Sequence, residues 1–160
     1  GSYVEKVTGR KMHIWMGECH VHAGIDTDDV ARLAERYPGA ELLIHPECGC
    51  STSSMYDLAM GDLPSNTCLL STGKMIEHAR TSPADTFIVA TEVGILHRLR
   101  KDSPHKTFIP AADHAVCPFM KMITLEKVYR SLRDDVHHIQ VDKETADRAR
   151  RAIERMIAIG

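Results

Sequence analysis

Short apolar segments alternate with amphipathic segments along most of the chain. Six of the apolar segments are nearly continuous, a pattern typical of strands that are buried on both faces of a parallel sheet. They lie at residues 13–16, 41–44, 67–70, 87–90, 107–109 and 138–141. Strands that alternate with helices indicate βαβ units. We therefore predict an α/β fold, with small parallel sheets flanked by helices in three α/β/α layers.

The amphipathic segments predict six helices whose apolar stripes face the core. The first has apolar residues at positions i, i+3, i+4 and i+7, which are Val30, Leu33, Ala34 and Tyr37. Asp26 or Thr27 can cap its start, and Pro38-Gly39 ends it. The other helices are expected at about residues 55–59, 73–80, 93–101, 124–132 and 143–159. Asp142 is the predicted cap of the last helix.

The two halves of the chain share a weak internal similarity. Residues 13–45 read as strand, cysteine-containing loop, amphipathic helix and strand, and residues 107–141 repeat that order. Cys19 and Cys117 occupy corresponding places, each between a predicted strand and a helix. Two copies of one small α/β unit would explain the similarity.

Composition and charge exclude several classes of protein. The 160 residues include 43% apolar types, enough for a buried core, and 20 basic against 22 acidic residues give a net charge of −2. That balance disfavours nucleic-acid and membrane-surface binding, which need a basic excess. We see no apolar run of about 18 residues and no signal peptide, so we expect a cytoplasmic protein without membrane association. Five cysteines, an odd number, argue against a disulfide framework in that compartment.

Polar and thiol side chains concentrate directly after the predicted strands. They are Cys19, His20 and His22 after the first, His45, Glu47, Cys48 and Cys50 after the second, Ser71, Thr72 and Lys74 after the third, Thr91 and Glu92 after the fourth, and Cys117 after the fifth. Ligands of open parallel sheets bind beyond the carboxyl ends of the strands. The sequence therefore predicts a functional site at this edge.

The cysteines and histidines suggest a metal centre without defining one. Cys19 with His20 and His22 could bind zinc, but the spacing is not that of a zinc finger. Ordinary structural roles are the more frequent explanation for His20 and His22. Cys117-Pro118 is more suggestive, because a thiolate followed by proline occurs among iron–sulfur ligands.

Two further loops offer groups for binding and proton transfer. Ser71 and Thr72 open a helix, where hydroxyls and free backbone N–H groups can bind a carboxylate or phosphate. The segment is not a P-loop, because Cys68 stands where that motif needs glycine. His45 and Glu47 place an imidazole beside a carboxylate, a pair suited to acid–base chemistry on a small acid. A plain helix cap and a surface turn are the respective alternatives.

Taken together in order, these loops resemble the quinolinate synthase family, the iron–sulfur enzymes of NAD biosynthesis. The similarity runs from about residue 8 to the C terminus. The matching motifs lie at residues 15–22, 45–48, 70–75, 90–95 and 117–121.

The resemblance implies a fold of three similar α/β domains around a pseudo-threefold axis, with the active site where they meet. Residues 11–90 match the second domain and residues 91–160 the third, and residues 1–10 would be a tail or a remnant of the preceding domain. The chain begins with Gly1-Ser2, typical of a cloning scar. We therefore expect a fragment of a longer protein.

The resemblance also implies a chemistry. One cysteine from each domain binds a [4Fe–4S] cluster with one open iron. Cys19 and Cys117 match two of these ligands, and the third lies in the absent first domain. The family is a group of condensing transferases that join iminoaspartate to dihydroxyacetone phosphate to form quinolinate. L-aspartate oxidase or aspartate dehydrogenase is a possible source of iminoaspartate.

The same resemblance implies roles for individual side chains. His45 and Glu47 would contact the substrate and move protons, and Ser71 and Thr72 would hold a carboxylate. With two of the three cysteine ligands, this chain alone is expected to be inactive.

Two other functions remain open. One is a non-catalytic metal-binding or redox module that uses Cys19, Cys117 and histidines. The other is a Rossmann-like domain that binds a small ligand and whose cysteines are all structural. Three observations distinguish the hypotheses. An iron–sulfur absorbance would favour the synthase, bound zinc would favour the metal-binding module, and the absence of both metals would favour the Rossmann-like domain.

Overall fold

The computed structural model describes Glu5, residues 8–48 and residues 66–159. Four strands form one parallel sheet in the order β2-β1-β3-β4. Their bounds are Glu41–Ile44 for β1, Thr67–Leu69 for β2, Thr86–Ala90 for β3 and Thr107–Pro110 for β4. Leu43 of β1 is in register with Cys68 of β2 and with Val89 of β3. The predicted α/β class with parallel strands is confirmed.

Five of the seven helices with described bounds match the prediction in order, and two helices of four residues each were not predicted. The bounds of the seven are His20–Ala23 for α1, Thr27–Arg36 for α2, Thr72–Thr81 for α3, Ile95–Asp102 for α4, Pro118–Lys121 for α5, Leu125–Asp134 for α6 and Lys143–Ile157 for α7. The Asp26 carboxylate caps α2 by accepting from the Asp28 N–H at 3.0 Å. Asp142 caps α7 through the Thr145 N–H at 2.8 Å. Both predicted caps are confirmed, since these carboxylates satisfy N–H groups that the first turn leaves free.

Residues 1–117 form one compact unit, which holds the sheet. Successive side chains of a strand point to opposite faces. Leu42 and Ile44 accordingly pack in one apolar cluster with Val30 of α2, whereas Leu43 packs in another with Met75 of α3. All five side chains are fully buried. The sheet thus lies between two helical layers, as the α/β/α prediction requires.

Residues 118–160 form a second compact unit, and its described part contains α5, α6 and α7. The helices predicted at 124–132 and 143–159 are present. The expectation that their apolar stripes face a core is wrong, because Leu125 and Leu132 of α6 are more than 80% exposed and Met156 of α7 is 66% exposed. The physical reason is that no sheet in the described part of this unit offers an apolar face against which these helices could pack.

Two predicted strands are absent from the described structure. Residues 13–16 and 138–141 have no strand assignment, and Trp15, Met16 and Ile139 are largely exposed. An apolar segment becomes a strand only where a neighbouring strand accepts and donates its backbone hydrogen bonds. The apolar pattern alone did not specify such a neighbour, so both predictions were wrong for this chain.

Three further expectations concern the start of one helix, a helix outside the described residues and a domain boundary. Helix α4 begins at Ile95 rather than Val93, because Val93 and Gly94 form a turn. The helix predicted at 55–59 lies outside the described residues. The domain boundary near residue 90 stays a prediction, and β3 and β4, which lie on either side of it, pair in one sheet with Phe87 opposite Phe108.

The described helices give no candidate for a membrane span. None of them combines the length and the apolar character that crossing a bilayer requires.

Candidate functional site

Polar side chains follow three neighbouring strands at the edge where the parallel strands end. They are His45 and Glu47 after β1, Ser71 and Thr72 after β2, and Thr91 and Glu92 after β3. Backbone pairing continues past the strands, since the His45 N–H donates to the Ala90 carbonyl oxygen at 3.1 Å. The loop after β1 is thereby fixed in register with the end of β3.

His22 of α1 meets the residues that follow β1 and β3. Its Nε2 lies 2.9 Å from the Thr91 hydroxyl oxygen, and its Nδ1 lies 3.8 Å from Glu47 Oε2. Its ring stacks on that of His45, with the centroids 4.6 Å apart and the planes at 8°. We call His22, His45, Glu47 and Thr91 the imidazole site. Three separate segments of the chain build it.

Burial shapes the electrostatics of His22. Only 8% of the residue is exposed. Burial, and then the nearby His45, lower the pKa of His22, while Glu47 and Glu92 act in the opposite direction. A lowered pKa keeps the imidazole neutral near neutral pH.

The second ring nitrogen of His22 is unusual. Nδ1 is buried and makes no hydrogen bond within the part of the chain that the structure describes. Leaving a buried polar atom unpaired costs free energy, and most such atoms in native proteins have a partner. This nitrogen therefore points to a ligand in the imidazole site.

His45 and Glu47 form a tight local pair. The Glu47 N–H donates to His45 Nδ1 at 3.2 Å, and the Glu47 side chain is 70% exposed. Because Nδ1 accepts this hydrogen bond, neutral His45 carries its hydrogen on Nε2. This contact joins the imidazole to the backbone of Glu47, in the exposed turn that was the alternative interpretation, while the Glu47 carboxylate lies nearest to His22.

Glu92 connects the end of β3 to the loop that carries Cys117. Its carboxylate is buried, and it accepts from the Gly94 N–H at 2.7 Å and from the Cys117 N–H at 3.3 Å. Hydrogen bonds to an ionised group are among the strongest in proteins. Glu92 therefore fixes the backbone at Cys117.

The two cysteines predicted as metal ligands pack against the same apolar cluster. Cys19 immediately precedes α1, and Cys117 follows β4. Both are free thiols, both are half-buried, and both pack against the apolar cluster that contains Ile25 and Val30.

Two of the remaining cysteines have different environments. Cys48 is buried and disulfide-bonded. Cys68 is half-buried in β2, with Sγ 3.9 Å from His78 Nε2. Burial and, to a lesser extent, Glu41 raise the pKa of the Cys68 thiol, which disfavours the thiolate that binds metals. Cys50 lies outside the described residues.

Ser71 and Thr72 lie at the start of α3, and both are exposed. The Ser71 hydroxyl oxygen accepts from the Lys74 N–H at 3.4 Å, so it caps the helix. β2, which precedes them, pairs with β1, which precedes His45. The helix-cap alternative is thus realised by Ser71, while the Thr72 side chain is exposed at the same sheet edge.

Sequence reasoning underestimated His22 and gave no role to Thr91 and Glu92. The position of Thr91 and Glu92 immediately after β3 was the available indication, since it places them at the carboxyl edge of the sheet. For His22, a histidine three residues after Cys19 was interpreted as structural. Its contact with Thr91 joins positions 69 residues apart, which no local pattern reveals.

Comparison with known families gives one match over nearly the whole chain. Residues 1–158 match the family described as "NadA: Quinolinate synthetase A protein".

Curated proteins with similar sequences carry a consistent name. The quinolinate synthase of a Thermus thermophilus strain is 51% identical over 160 residues, which cover 100% of this chain and 50% of that protein. The quinolinate synthase of Pyrobaculum aerophilum is 48% identical, covering 98% and 50% respectively. That of Mycobacterium tuberculosis is 48% identical, covering 100% and 46%. The chain thus spans about half the length of the curated relatives it matches.

Proposed function

The chain belongs to the quinolinate synthetase A family, and we propose that it supplies part of the active site of a quinolinate synthase. In this proposal the full-length enzyme condenses iminoaspartate with dihydroxyacetone phosphate, releasing phosphate and water to give quinolinate. The imidazole site, built at the carboxyl edge of the sheet, is the observation that carries the proposal. Because the chain spans half of its relatives, the activity is proposed for the full-length protein, and the isolated chain is expected to be inactive.

The chemistry of two cysteines fits a [4Fe–4S] cluster. Cys19 and Cys117 are free thiols that pack on one apolar cluster, and iron–sulfur clusters are held by cysteine thiolates. Glu92 fixes the backbone of one of them. We assign Cys19 and Cys117 as two ligands, with the third outside this chain. When bound, a cluster with an open iron supplies a Lewis acid that polarises a substrate oxygen.

The side chains of the imidazole site then bind and protonate the substrate. Glu47 is exposed and can accept a proton, while neutral His45 carries a hydrogen on Nε2 that it can donate. His22 is neutral and presents Nδ1 without a hydrogen-bond partner among the described residues, so it can hydrogen-bond a substrate oxygen or nitrogen. In this proposal Thr91 positions His22 through its hydroxyl.

Substrate carboxylates are assigned to the start of α3. Backbone N–H groups at a helix N terminus bind anions well, and the dipole of this ten-residue helix adds to the attraction. Thr72 offers a hydroxyl there, whereas the Ser71 hydroxyl already caps the helix. We therefore expect Thr72 to contribute more to substrate binding than Ser71.

Iminoaspartate must be made by an enzyme that oxidises aspartate. L-aspartate oxidase or aspartate dehydrogenase would supply it, and we propose that both steps take place in the cytoplasm.

The test uses the full-length protein that contains this chain, prepared without oxygen. Cys19→Ser and Cys117→Ser should abolish iron retention, visible iron–sulfur absorbance and quinolinate formation, because an alkoxide poorly replaces a thiolate on iron. Cys68→Ser is the matched control and should keep all three. Iron kept in the Cys19 variant and lost in the Cys68 variant would reverse the assignment.

A second arm separates proton transfer from metal binding. Glu47→Gln keeps the shape of the side chain but removes its basicity, so turnover should fall by about 10²–10⁴-fold with the iron content unchanged. Wild-type turnover in this variant would exclude Glu47 as an acid–base group.

A further inference from the structure

We propose that the imidazole site binds a divalent transition-metal cation of the Zn²⁺ class through His22, His45 and Glu47. One ligand atom from each of these residues lies within 4.8 Å of the other two. Two imidazoles and a carboxylate are an established donor set for zinc, in which a fourth position remains for water or another molecule. The cysteines assigned to the cluster are not members of this group.

The distances are close to those of a cation site, and binding needs one local change at His45. Its Nδ1 accepts the Glu47 N–H, so that hydrogen bond must break before a ring nitrogen of His45 can offer its lone pair to a cation. His22 Nδ1 and Glu47 Oε2 are 3.8 Å apart. Zinc bonds to nitrogen and oxygen are about 2.0–2.2 Å long, so the ligand atoms of a tetrahedral site lie about 3.3–3.6 Å apart, and these two atoms must move closer by a few tenths of an ångström. Because the Glu47 side chain is largely exposed, it can adjust without disturbing the core.

His22 is prepared as a ligand by its surroundings. Its Nε2 lies 2.9 Å from the Thr91 hydroxyl, and its Nδ1 has no hydrogen-bond partner among the described residues. Metal-bound histidines usually donate their other ring N–H to such a neighbour, which fixes the tautomer and the ring orientation. With Nε2–H donating to Thr91, the lone pair lies on Nδ1, the atom nearest to Glu47.

A cation at this site would compete with the substrate, and this consequence rests on the proposed function. That function assigns His45 and Glu47 to the substrate, and the same lone pairs cannot serve both. Zn²⁺ should therefore raise the apparent KM of the full-length enzyme without removing iron.

The binding test uses Co²⁺ as a spectroscopic substitute for Zn²⁺, titrated into the purified 160-residue chain that carries Cys19→Ser and Cys117→Ser. We expect saturable visible ligand-field bands without a thiolate-to-cobalt charge-transfer band, and displacement of Co²⁺ by Zn²⁺. His22→Gln and Glu47→Gln should abolish or strongly weaken these bands. Thr91→Val should weaken binding by about 10–100-fold, as for other groups that orient a ligand.

His97→Gln is the matched control, because His97 is exposed on α4 and is not a member of the group. It should bind Co²⁺ as the parent does. Because Glu47 is exposed, its variant should fold even if the His22 variant does not. Absence of saturable binding, or equal binding in the Glu47→Gln variant, would overturn the proposal.

Kinetics of the full-length enzyme distinguish the two proposals. An active enzyme whose chain binds no Co²⁺ would refute the cation site alone. Co²⁺ binding that depends on His22 and Glu47, in a protein that forms no quinolinate, would support the cation site and contradict the proposed function.

Discussion

At the scale of single residues, Glu92 is the clearest case of a buried charge held by backbone groups. Its oxygens accept from the N–H groups of Gly94 and Cys117. Glu92→Ala should lower the free energy of unfolding by about 1.5–3 kcal/mol, the usual range for a hydrogen bond to a charged group. Urea unfolding followed by circular dichroism would measure it.

Glu35→Ala provides the comparison, because Glu35 is an exposed carboxylate on α2. Its effect should stay within about 0.5 kcal/mol, as for most surface substitutions. Equal effects of the two variants would show that the backbone bonds to Glu92 add nothing to stability.

His22 should make stability depend on pH. Its folded-state pKa lies below the ordinary value of 6.5, owing first to burial and then to His45, with Glu47 and Glu92 opposing. As the pH falls through 6.5, His22 takes up a proton in the unfolded chain, whereas in the folded chain it is protonated only at a lower pH. The free energy of unfolding should therefore decrease as the pH falls through the ordinary pKa of 6.5, and it should level off below the lower folded-state pKa.

Urea unfolding at several pH values, with a chelator present, would test this. His22→Gln should remove the His22 contribution to the slope, while His97→Gln, at an exposed position, should keep it. An NMR titration of His22 with a midpoint at or above its ordinary pKa of 6.5 would contradict the prediction.

Among single residues, some members of the candidate site could be predicted from the sequence and others could not. His45 and Glu47 were proposed from their place after a strand, and the structure puts them in contact with each other. His22 was underestimated, because its partners His45, Glu47 and Thr91 come from two other segments. Tertiary contacts of this kind leave no local pattern in a single sequence.

At the scale of elements, the predictions that depend only on neighbouring residues of the chain were confirmed. Asp26 and Asp142 cap their helices as expected, because a cap depends on residues only two or three positions away. Strands β1 to β4 were found because their apolar runs pair in one sheet, in which the central strands β1 and β3 are largely buried and the edge strands β2 and β4 are mostly half-buried. Residues 13–16 and 138–141 carry similar runs but form no strand, since pairing depends on a neighbour that sequence pattern does not specify.

At the start of α3, we expect Ser71 to stabilise the helix and Thr72 to bind the substrate. Ser71→Ala should lower the free energy of unfolding by about 0.5–2 kcal/mol, because its hydroxyl oxygen caps the helix. Thr72→Ala should leave stability nearly unchanged. In the full-length enzyme it should raise the substrate KM by about ten- to a hundredfold, the equivalent of one charge-assisted hydrogen bond.

Urea unfolding and steady-state kinetics on both variants would measure these effects. Wild-type KM in the Thr72 variant would show that the start of α3 does not bind the substrate carboxylate.

At the scale of the whole molecule, the unit formed by residues 118–160 exposes an apolar surface. Met122, Ile123, Val128 and Leu132 line a groove of about 490 Å³. Exposed apolar patches on a protein surface mark places that bind other protein segments. Sequence periodicity located the stripes on α6 and α7 correctly, but periodicity cannot tell a stripe that packs in its own unit from one that packs elsewhere.

The isolated chain should therefore self-associate through this surface and bind a hydrophobic dye. Leu132 is 82% exposed on α6, and burying a leucine side chain contributes about 1.5–3 kcal/mol. Leu132→Glu should thus weaken self-association by about tenfold or more and reduce dye fluorescence. Gln140→Glu adds the same charge at another exposed position without removing apolar area, so it should leave both nearly unchanged. Sedimentation velocity over a range of concentrations would measure the association, and equal association of the two variants would show that this surface does not drive it.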